Sequence, residues 1–151
     1  MPGRLSLYDD YAKRVLALAQ DEAWRVFHHN SIGPEHLMLG VLRAGSGDRE
    51  GWIVPTTLKS LGLDVASARK ALETPRSRGD PEQQLDEIPF TPEGNRVIDQ
   101  ATVEAKSLGA ERVTPKHVLL AALREPGAQA VLQSLGLSSE AVREKILDIP
   151  R

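Results

Sequence analysis

Apolar residues recur at three- and four-residue spacing through most of this 151-residue chain. One apolar stripe runs from Ala12 to Val26, and a matching stripe runs from Val97 to Leu108. The charged residues between these positions fall largely off the stripes, which is typical of amphipathic α-helices with one face in a core. The pattern therefore predicts an all-α fold.

Proline, glycine and short polar residues mark where these helices should begin and end. Proline suits the first turn of a helix because its missing N–H is not needed there, and four prolines stand at such places: Pro34, Pro55, Pro92 and Pro115. Four residues can cap a helix start through a side-chain oxygen: Asp64, Thr91, Thr114 and Ser138. Gly62 and Gly136 stand where the third helix of each half should stop. The prediction is four short helices, a linker and four more.

The chain also repeats itself. The segment 32–39 (IGPEHLML) matches the segment 113–120 (VTPKHVLL), and a Leu-x-Ser-Leu-Gly-Leu phrase follows each of them, at 58–63 and 132–137. Two matching phrases in the same order, roughly 75 to 80 residues apart, indicate an internal duplication.

The duplication divides the chain into two copies within a single domain. We expect the first copy at about residues 8–73 and the second at about residues 90–148. The segment between them, about 74–89, is polar and interrupted by prolines, so we expect a mobile surface linker that belongs to neither core. The first copy also carries an insertion after Arg43, on which Trp52 either packs back on the bundle or serves recognition.

Composition excludes several classes of function. The formal net charge is −2 with acidic and basic residues interspersed, which provides no basic stripe for nucleic acid and no anchor for acidic lipids. The chain has no cysteine, so disulfides and thiolate chemistry are excluded. No apolar run resembles a signal core or approaches a membrane span. We expect a cytoplasmic protein that binds neither nucleic acid nor membrane.

Candidate catalytic residues are absent from the sequence pattern. His28, His29, His36 and His117 form no H-x-x-x-H pair typical of zinc hydrolases, and neither a P-loop nor a G-x-S-x-G motif occurs. We therefore expect no enzymatic activity, no metal and no cofactor. His36 and His117 occupy equivalent positions of the two copies, and we expect them to fix a turn by hydrogen bonding.

The doubled phrase, the opening segment 11–23 and the segment 88–92 (IPFTP) resemble the Clp N-terminal repeat domain, with the closest likeness to the ClpC branch of actinobacteria. The resemblance implies two four-helix repeats related by a pseudo-twofold axis and packed through a shared interface. It also implies a module that receives substrates and adaptors for a Clp unfoldase. Since the sequence holds no ATPase motif, we expect either a free-standing Clp-repeat protein, which we favour, or a domain cut from a longer chain.

In some ClpC N-domains, which the chain resembles, a Gly-Thr-Glu-His motif in each repeat recognises phosphorylated arginine. The first copy reads Gly33-Pro34-Glu35-His36 and keeps the carboxylate, whereas the second has Lys116, which would repel a guanidinium. At most one weakened phosphoarginine-like site, at Glu35, is expected. The alternative is that Glu35 is only a first-turn carboxylate favoured by the helix dipole.

The resemblance implies a second surface between the repeats, which in actinobacterial ClpC receives cyclic-peptide antibiotics. The matching positions are Leu5, Leu16, Glu87, Phe90 and Ile98. Core packing is the alternative for Leu16 and Ile98, and binding and packing are equally open for Phe90.

Together these features predict a non-catalytic binding module for Clp protease components, substrates, adaptors or antibiotics directed at ClpC. A free copy would act as a decoy or adaptor by mass action. The alternatives are the receptor domain of a full-length ATP-dependent unfoldase and a helical scaffold unrelated to proteolysis.

Overall fold

The computed structural model describes residues 3–27, 29–44, 53–72 and 88–148, with backbone alone at Val26 and at 53–56. Within these residues the fold is all-helical, as predicted. A five-residue π-helical turn, Glu22–Val26, continues the first helix. The α-helices are α1 (Asp10–Asp21), α2 (Pro34–Ala44), α3 (Ile53–Ser60), α4 (Val65–Leu72), α5 (Pro92–Ser107), α6 (Pro115–Ala122), α7 (Pro126–Ser134) and α8 (Ser139–Leu147).

Most predicted helix ends are confirmed. The hydroxyl of Thr91 accepts from the Gly94 N–H at 2.9 Å, and the carboxylate of Asp64 accepts from the Ser67 N–H at 2.8 Å. Gly62 has φ 91° and Gly136 has φ 73°, a left-handed conformation that ends a helix without the penalty of a Cβ. The expected start of α3 at Pro55 was wrong, because the helix begins two residues earlier.

The central helices of the two copies, α2 and α6, are the most deeply buried. Every residue of α2 except Glu35 and Arg43 is buried, and every residue of α6 except Lys116 is buried. A helix that is apolar on all sides must be covered on all sides. Accordingly, α2 packs on α1, α3 and α4 of its own copy and also on α5, α6 and α7 of the other.

The two copies exchange reciprocal strand-like contacts. The backbone of Val113 donates to Leu7 at 2.8 Å and accepts from Asp9 at 2.9 Å, while Ile32 donates to Pro89 at 2.8 Å and accepts from Thr91 at 2.9 Å. Each copy thus holds the segment that precedes the other copy's first helix. This reciprocity is the relation that a pseudo-twofold arrangement requires.

These contacts correct one boundary. The predicted surface linker extended to Pro89, but Ile88 is only 2% exposed and belongs to the core. Since Pro89 also accepts a hydrogen bond from Ile32, the last two residues of that segment belong to the second copy. The rest of the predicted linker, and Trp52, lie outside the described residues.

The π-helical turn explains a one-residue difference between the copies. Glu22 and Glu104 occupy equivalent places, yet His36 follows Glu22 by one residue more than His117 follows Glu104. In a π-turn an N–H bonds five residues back, as the Phe27 N–H does to the Glu22 carbonyl at 3.2 Å. The turn therefore absorbs the extra residue.

Candidate functional site

A cleft of about 620 Å³ lies where the two copies meet. It opens between the start of α2, the end of α4, the start of α5 and the length of α7, so both copies build its walls. Apolar lining comes from Pro34, Ala71, Leu72, Pro126, Ala130 and Val131, and charged lining comes from Glu35, Glu93 and Arg96. The volume is typical of sites for small molecules and side chains.

Of the predicted site residues that the structure describes, Glu35 alone lines this cleft. Its side chain is 14% exposed and folds back over Gly33, and its Oε2 reaches Gly127 in the first turn of α7. A Cβ at either glycine would collide with the carboxylate. Glu35 lies in the first turn of α2, where the helix dipole favours a carboxylate. Its carboxylate also contacts the first turn of α7, a helix of the other copy.

Behind Glu35 lies a pair of buried histidines. The Nδ1 of His36 accepts from the Gly33 N–H at 2.9 Å, and its Nε2 lies 2.9 Å from the Nδ1 of His29. Because the Gly33 N–H requires an acceptor, neutral His36 carries its proton on Nε2 and donates it to His29. His29 also lines the cleft and stacks on Phe27 with ring centroids 5.3 Å apart.

The second copy has the same histidine-capped turn but no hydrogen-bonded histidine pair. The Nδ1 of His117 accepts from the Thr114 N–H at 2.9 Å, which confirms that the duplicated histidine fixes a turn. Burial, followed by the charge of Lys116, lowers the pKa of His117 to about 4. Ala110 stands where the first copy has His29, so the hydrogen-bonded pair belongs to the first copy.

None of the four predicted groove residues that the structure describes lines the cleft. Leu5, Leu16 and Phe90 are half-buried and pack against the core. Ile98 is 2% exposed, which favours core packing and leaves a ligand little of its surface. Glu87 lies outside the described residues.

The amino-terminal segment meets the second copy. The hydroxyl of Tyr8, which is fully buried, donates to the Ile98 carbonyl at 2.7 Å. Arg4 bonds both the Asn95 side chain and the Asp99 carboxylate at 3.0 Å. Tyr8 was not among the core residues predicted from the sequence. The duplication could have indicated its importance, because Tyr8 occupies the position that Phe90 has in the second copy.

Two buried ion clusters were also missed. In the first copy the fully buried Glu22 accepts from Arg69 at 2.6 and 2.7 Å and from Arg43 at 2.9 Å. This cluster ties the π-turn to α2 and α4. The duplication itself was the signal, since each member has an equivalent in the second copy.

In the second copy Glu104 accepts from Arg124 at 2.7 Å and from Arg143 at 3.3 Å. Burial alone would raise the pKa of Glu104, but the hydrogen bonds from Arg124 and Arg143 outweigh it and hold the pKa below its usual range. The carboxylate therefore stays ionised, and the cluster ties α5 to the end of α6 and to α8.

Other site classes find no support among the residues the structure describes. No group of three or more histidine, aspartate or glutamate side chains there is placed to hold a metal ion. No helix in the described ranges is long and apolar enough to cross a bilayer.

Comparison with known proteins gives consistent matches. The family model described as "Clp repeat (R) N-terminal domain" matches residues 7–135. The "Negative regulator of genetic competence ClpC/MecB" of Bacillus subtilis is 38% identical over 144 residues, which cover 94% of this chain and 17% of that protein. The chain thus spans about a sixth of the length of that relative.

Solved structures show the same fold. The N-terminal domain of the chaperone ClpD from Arabidopsis thaliana matches with a TM-score of 0.74 at 18% identity, covering 95% of this chain and 94% of that one. A ClpV N-domain in complex with a VipB peptide matches with a TM-score of 0.65 at 18% identity, covering 96% and 88%. On the strength of the family match and the Bacillus relative, the chain belongs to the Clp repeat N-terminal domain family.

Proposed function

We propose that this chain is a non-catalytic, cytoplasmic binding module that receives protein substrates or adaptors of a Clp system. The observation that carries the proposal is the cleft between the copies, which combines apolar lining with the carboxylate of Glu35 packed against Gly33 and Gly127. The family membership supports it, and so does the peptide in the ClpV structure, which shows that a domain of this fold binds a peptide segment.

An NMR titration tests this function. At 16.5 kDa the chain gives resolved amide spectra, and an unfolded model protein such as reduced, carboxymethylated lactalbumin serves as the probe. We expect shifts at Glu35, Gly127 and Val131, with Val103, a 53% exposed residue of α5 that does not line the cleft, as the reference. Shifts spread evenly over the surface would contradict a dedicated cleft.

The proposal includes one weakened phosphoarginine-like site at Glu35. Because Lys116 replaces the carboxylate in the second copy, we expect calorimetry with free phosphoarginine to give a stoichiometry of one and weak affinity. Glu35→Gln should abolish the binding. Lys116→Glu restores a guanidinium partner and should add a second site; two equivalent tight sites in the parent chain would refute the assignment.

A second candidate ligand is a cyclic-peptide antibiotic of the kind directed at ClpC, bound beside Leu5, Leu16, Glu87, Phe90 and Ile98. The half-buried Phe90 supports it, since an aromatic anchor contributes on the order of 2 kcal/mol to binding. Phe90→Ala should weaken binding of such a peptide more than tenfold in calorimetry. Leu137→Ala, a similarly half-buried residue in the turn between α7 and α8, is the matched control. Equal losses in both variants would indicate a general loss of packing and no anchor at Phe90.

A free-standing chain of this kind, closest to actinobacterial ClpC and without an ATPase module, would act as a decoy or adaptor by competing for ligands shared with an unfoldase. The alternative is that the same module is the receptor domain of a full-length ATP-dependent unfoldase. The length of the native reading frame distinguishes the two, because only the second continues into a P-loop module.

A further inference from the structure

The two ion clusters differ at one position on the surface of the protein. In the first copy the Nη1 of Arg43 donates to two carboxylates, that of Asp21 at 2.7 Å and that of Glu22 at 2.9 Å. The duplication makes Arg124 the equivalent of Arg43 and Val103 the equivalent of Asp21. A valine therefore stands where the first copy has the second carboxylate of its cluster.

This difference leaves guanidinium donors unused in the second copy. Arg124 donates to Glu104 through Nε at 2.7 Å, and Arg143 donates to the same oxygen through Nη1 at 3.3 Å. Within the part of the chain that the structure describes, Glu104 is the carboxylate partner of both, and neither has a second one. A guanidinium has five N–H donors, and the side chain of Arg124 is 50% exposed. The Nη edge of Arg124 is therefore open to an acceptor from another molecule.

Exposed apolar side chains accompany this cluster. Among the described residues the large apolar side chains that are exposed belong to the second copy: Val103, Leu108 and Leu147, at 53%, 45% and 40%. Val103 directly precedes Glu104 in the chain, Leu108 follows Glu104 by one helical turn, and Leu147 follows Arg143 by one turn of α8. These three residues and the two arginines of the cluster are called the α5–α8 surface. It combines apolar area with unused cationic donors, and none of its residues lines the cleft.

We propose that the α5–α8 surface docks a folded protein partner that presents a carboxylate beside aliphatic side chains. The partner's carboxylate takes the place that Asp21 has in the first copy and accepts from the Nη edge of Arg124. Its aliphatic neighbours cover Val103 and Leu108. The partner is folded because the surface is small: an unfolded chain would lose more conformational entropy on ordering than these few contacts return. Unfolded lactalbumin should therefore leave Val103 unshifted.

Val103→Asp tests the open edge without any partner, because it restores the arrangement of the first copy. The introduced carboxylate should pair with Arg124, so its pKa, followed by NMR, should fall below about 3.9, the ordinary value of an aspartate. Lys106, an exposed residue one turn further along α5, is replaced by glutamine in the same variant so that its charge does not contribute. An ordinary pKa for the introduced carboxylate would overturn the equivalence on which the proposal rests.

Two stapled helical peptides probe the surface itself. One is Leu-Lys-Ala-Asp-Leu-Glu-Ala-Leu closed by a lactam between its lysine and glutamate, and the other has asparagine in place of aspartate. In an NMR titration we expect both to shift Val103 and Leu108, and the aspartate peptide to bind about fivefold more tightly, as one partly exposed ion pair allows. Val103→Asp should remove this preference, because the edge of Arg124 is then occupied. Val103→Asn, which supplies no carboxylate, should weaken both peptides and keep the preference.

The outcomes are distinguishable from those for the cleft. Equal affinities of the two peptides for the parent chain, or no shift at Val103 and Leu108 with either, would overturn the α5–α8 surface and leave the binding module standing. A preference for aspartate that survives in Val103→Asp would place the carboxylate away from Arg124 and overturn the proposal as well. The cleft is tested separately by the shifts of Glu35 and Gly127 with unfolded lactalbumin.

Discussion

Replacing Arg43 and Arg69 together with methionine should reduce the free energy of unfolding by about 3 to 5 kcal/mol. The reason is that the carboxyl group of Glu22 is fully buried and would lose both of its guanidinium partners in the interior. A domain of this size has a total stability of about 5 to 15 kcal/mol, so the loss is a large fraction of the whole. Urea unfolding at pH 7, followed by circular dichroism, measures it.

Two controls define this effect. Arg4→Met removes an ion pair whose side chains are 45% and 68% exposed, and exposed pairs contribute about 0 to 1 kcal/mol. Adding Glu22→Leu to the double variant removes the buried carboxyl group that has lost its partners and should recover most of the loss. A double variant that loses no more stability than Arg4→Met would show that the buried cluster is energetically unimportant.

The helix ends could be predicted because they depend on neighbouring residues alone. Thr91, Asp64 and Gly62 each act within four residues of their own position, so the local sequence contains the cause of the structure. The role of the duplicated histidine could be predicted for the same reason, since His117 accepts from the N–H three residues before it.

The ion clusters and the π-turn were not predicted because their partners are distant or their signal is subtle. Arg69 lies 47 residues after Glu22, and periodicity says nothing about which buried carboxylate meets which arginine. Aligning the two copies by charge would have identified both clusters. The same alignment would have placed the extra residue between Glu22 and His36, where the π-turn lies.

The cleft could be predicted only in part. Glu35 was identified from its motif, but Gly127 and Arg96 complete the site from the other copy. Which residues of one copy face Glu35 depends on the docking of α7 against α2, and a duplication does not by itself determine that docking. For this reason the groove at Phe90 and the cleft at Glu35 remained separate hypotheses in the sequence, and Phe90 does not line the cleft.

The stability of the second copy should depend on pH through His117. Its pKa is lowered from 6.5 to about 4 in the folded chain, first by burial and then by Lys116. Between these two pH values the unfolded chain binds a proton on His117 and the folded chain does not. The contribution of His117 to the free energy of unfolding is therefore complete above pH 6.5 and is lost as the pH falls from 6.5 towards 4. Between pH 7.5 and pH 5 this one group should reduce the free energy of unfolding by about 2 kcal/mol.

A matched variant isolates this contribution. His117→Gln keeps an acceptor at the third helical position for the Thr114 N–H, the arrangement of a capping box, and does not titrate. Subtracting its urea-unfolding free energies from those of the parent chain at pH 7.5, 6 and 5 cancels every other titrating group, including Glu104. We expect the parent to lose about 2 kcal/mol relative to the variant by pH 5. His117→Ala strands the Thr114 N–H and should cost about 1 to 3 kcal/mol already at pH 7.5. Parallel pH profiles for the parent and His117→Gln would mean that His117 takes up its proton as readily in the folded chain as in the unfolded one.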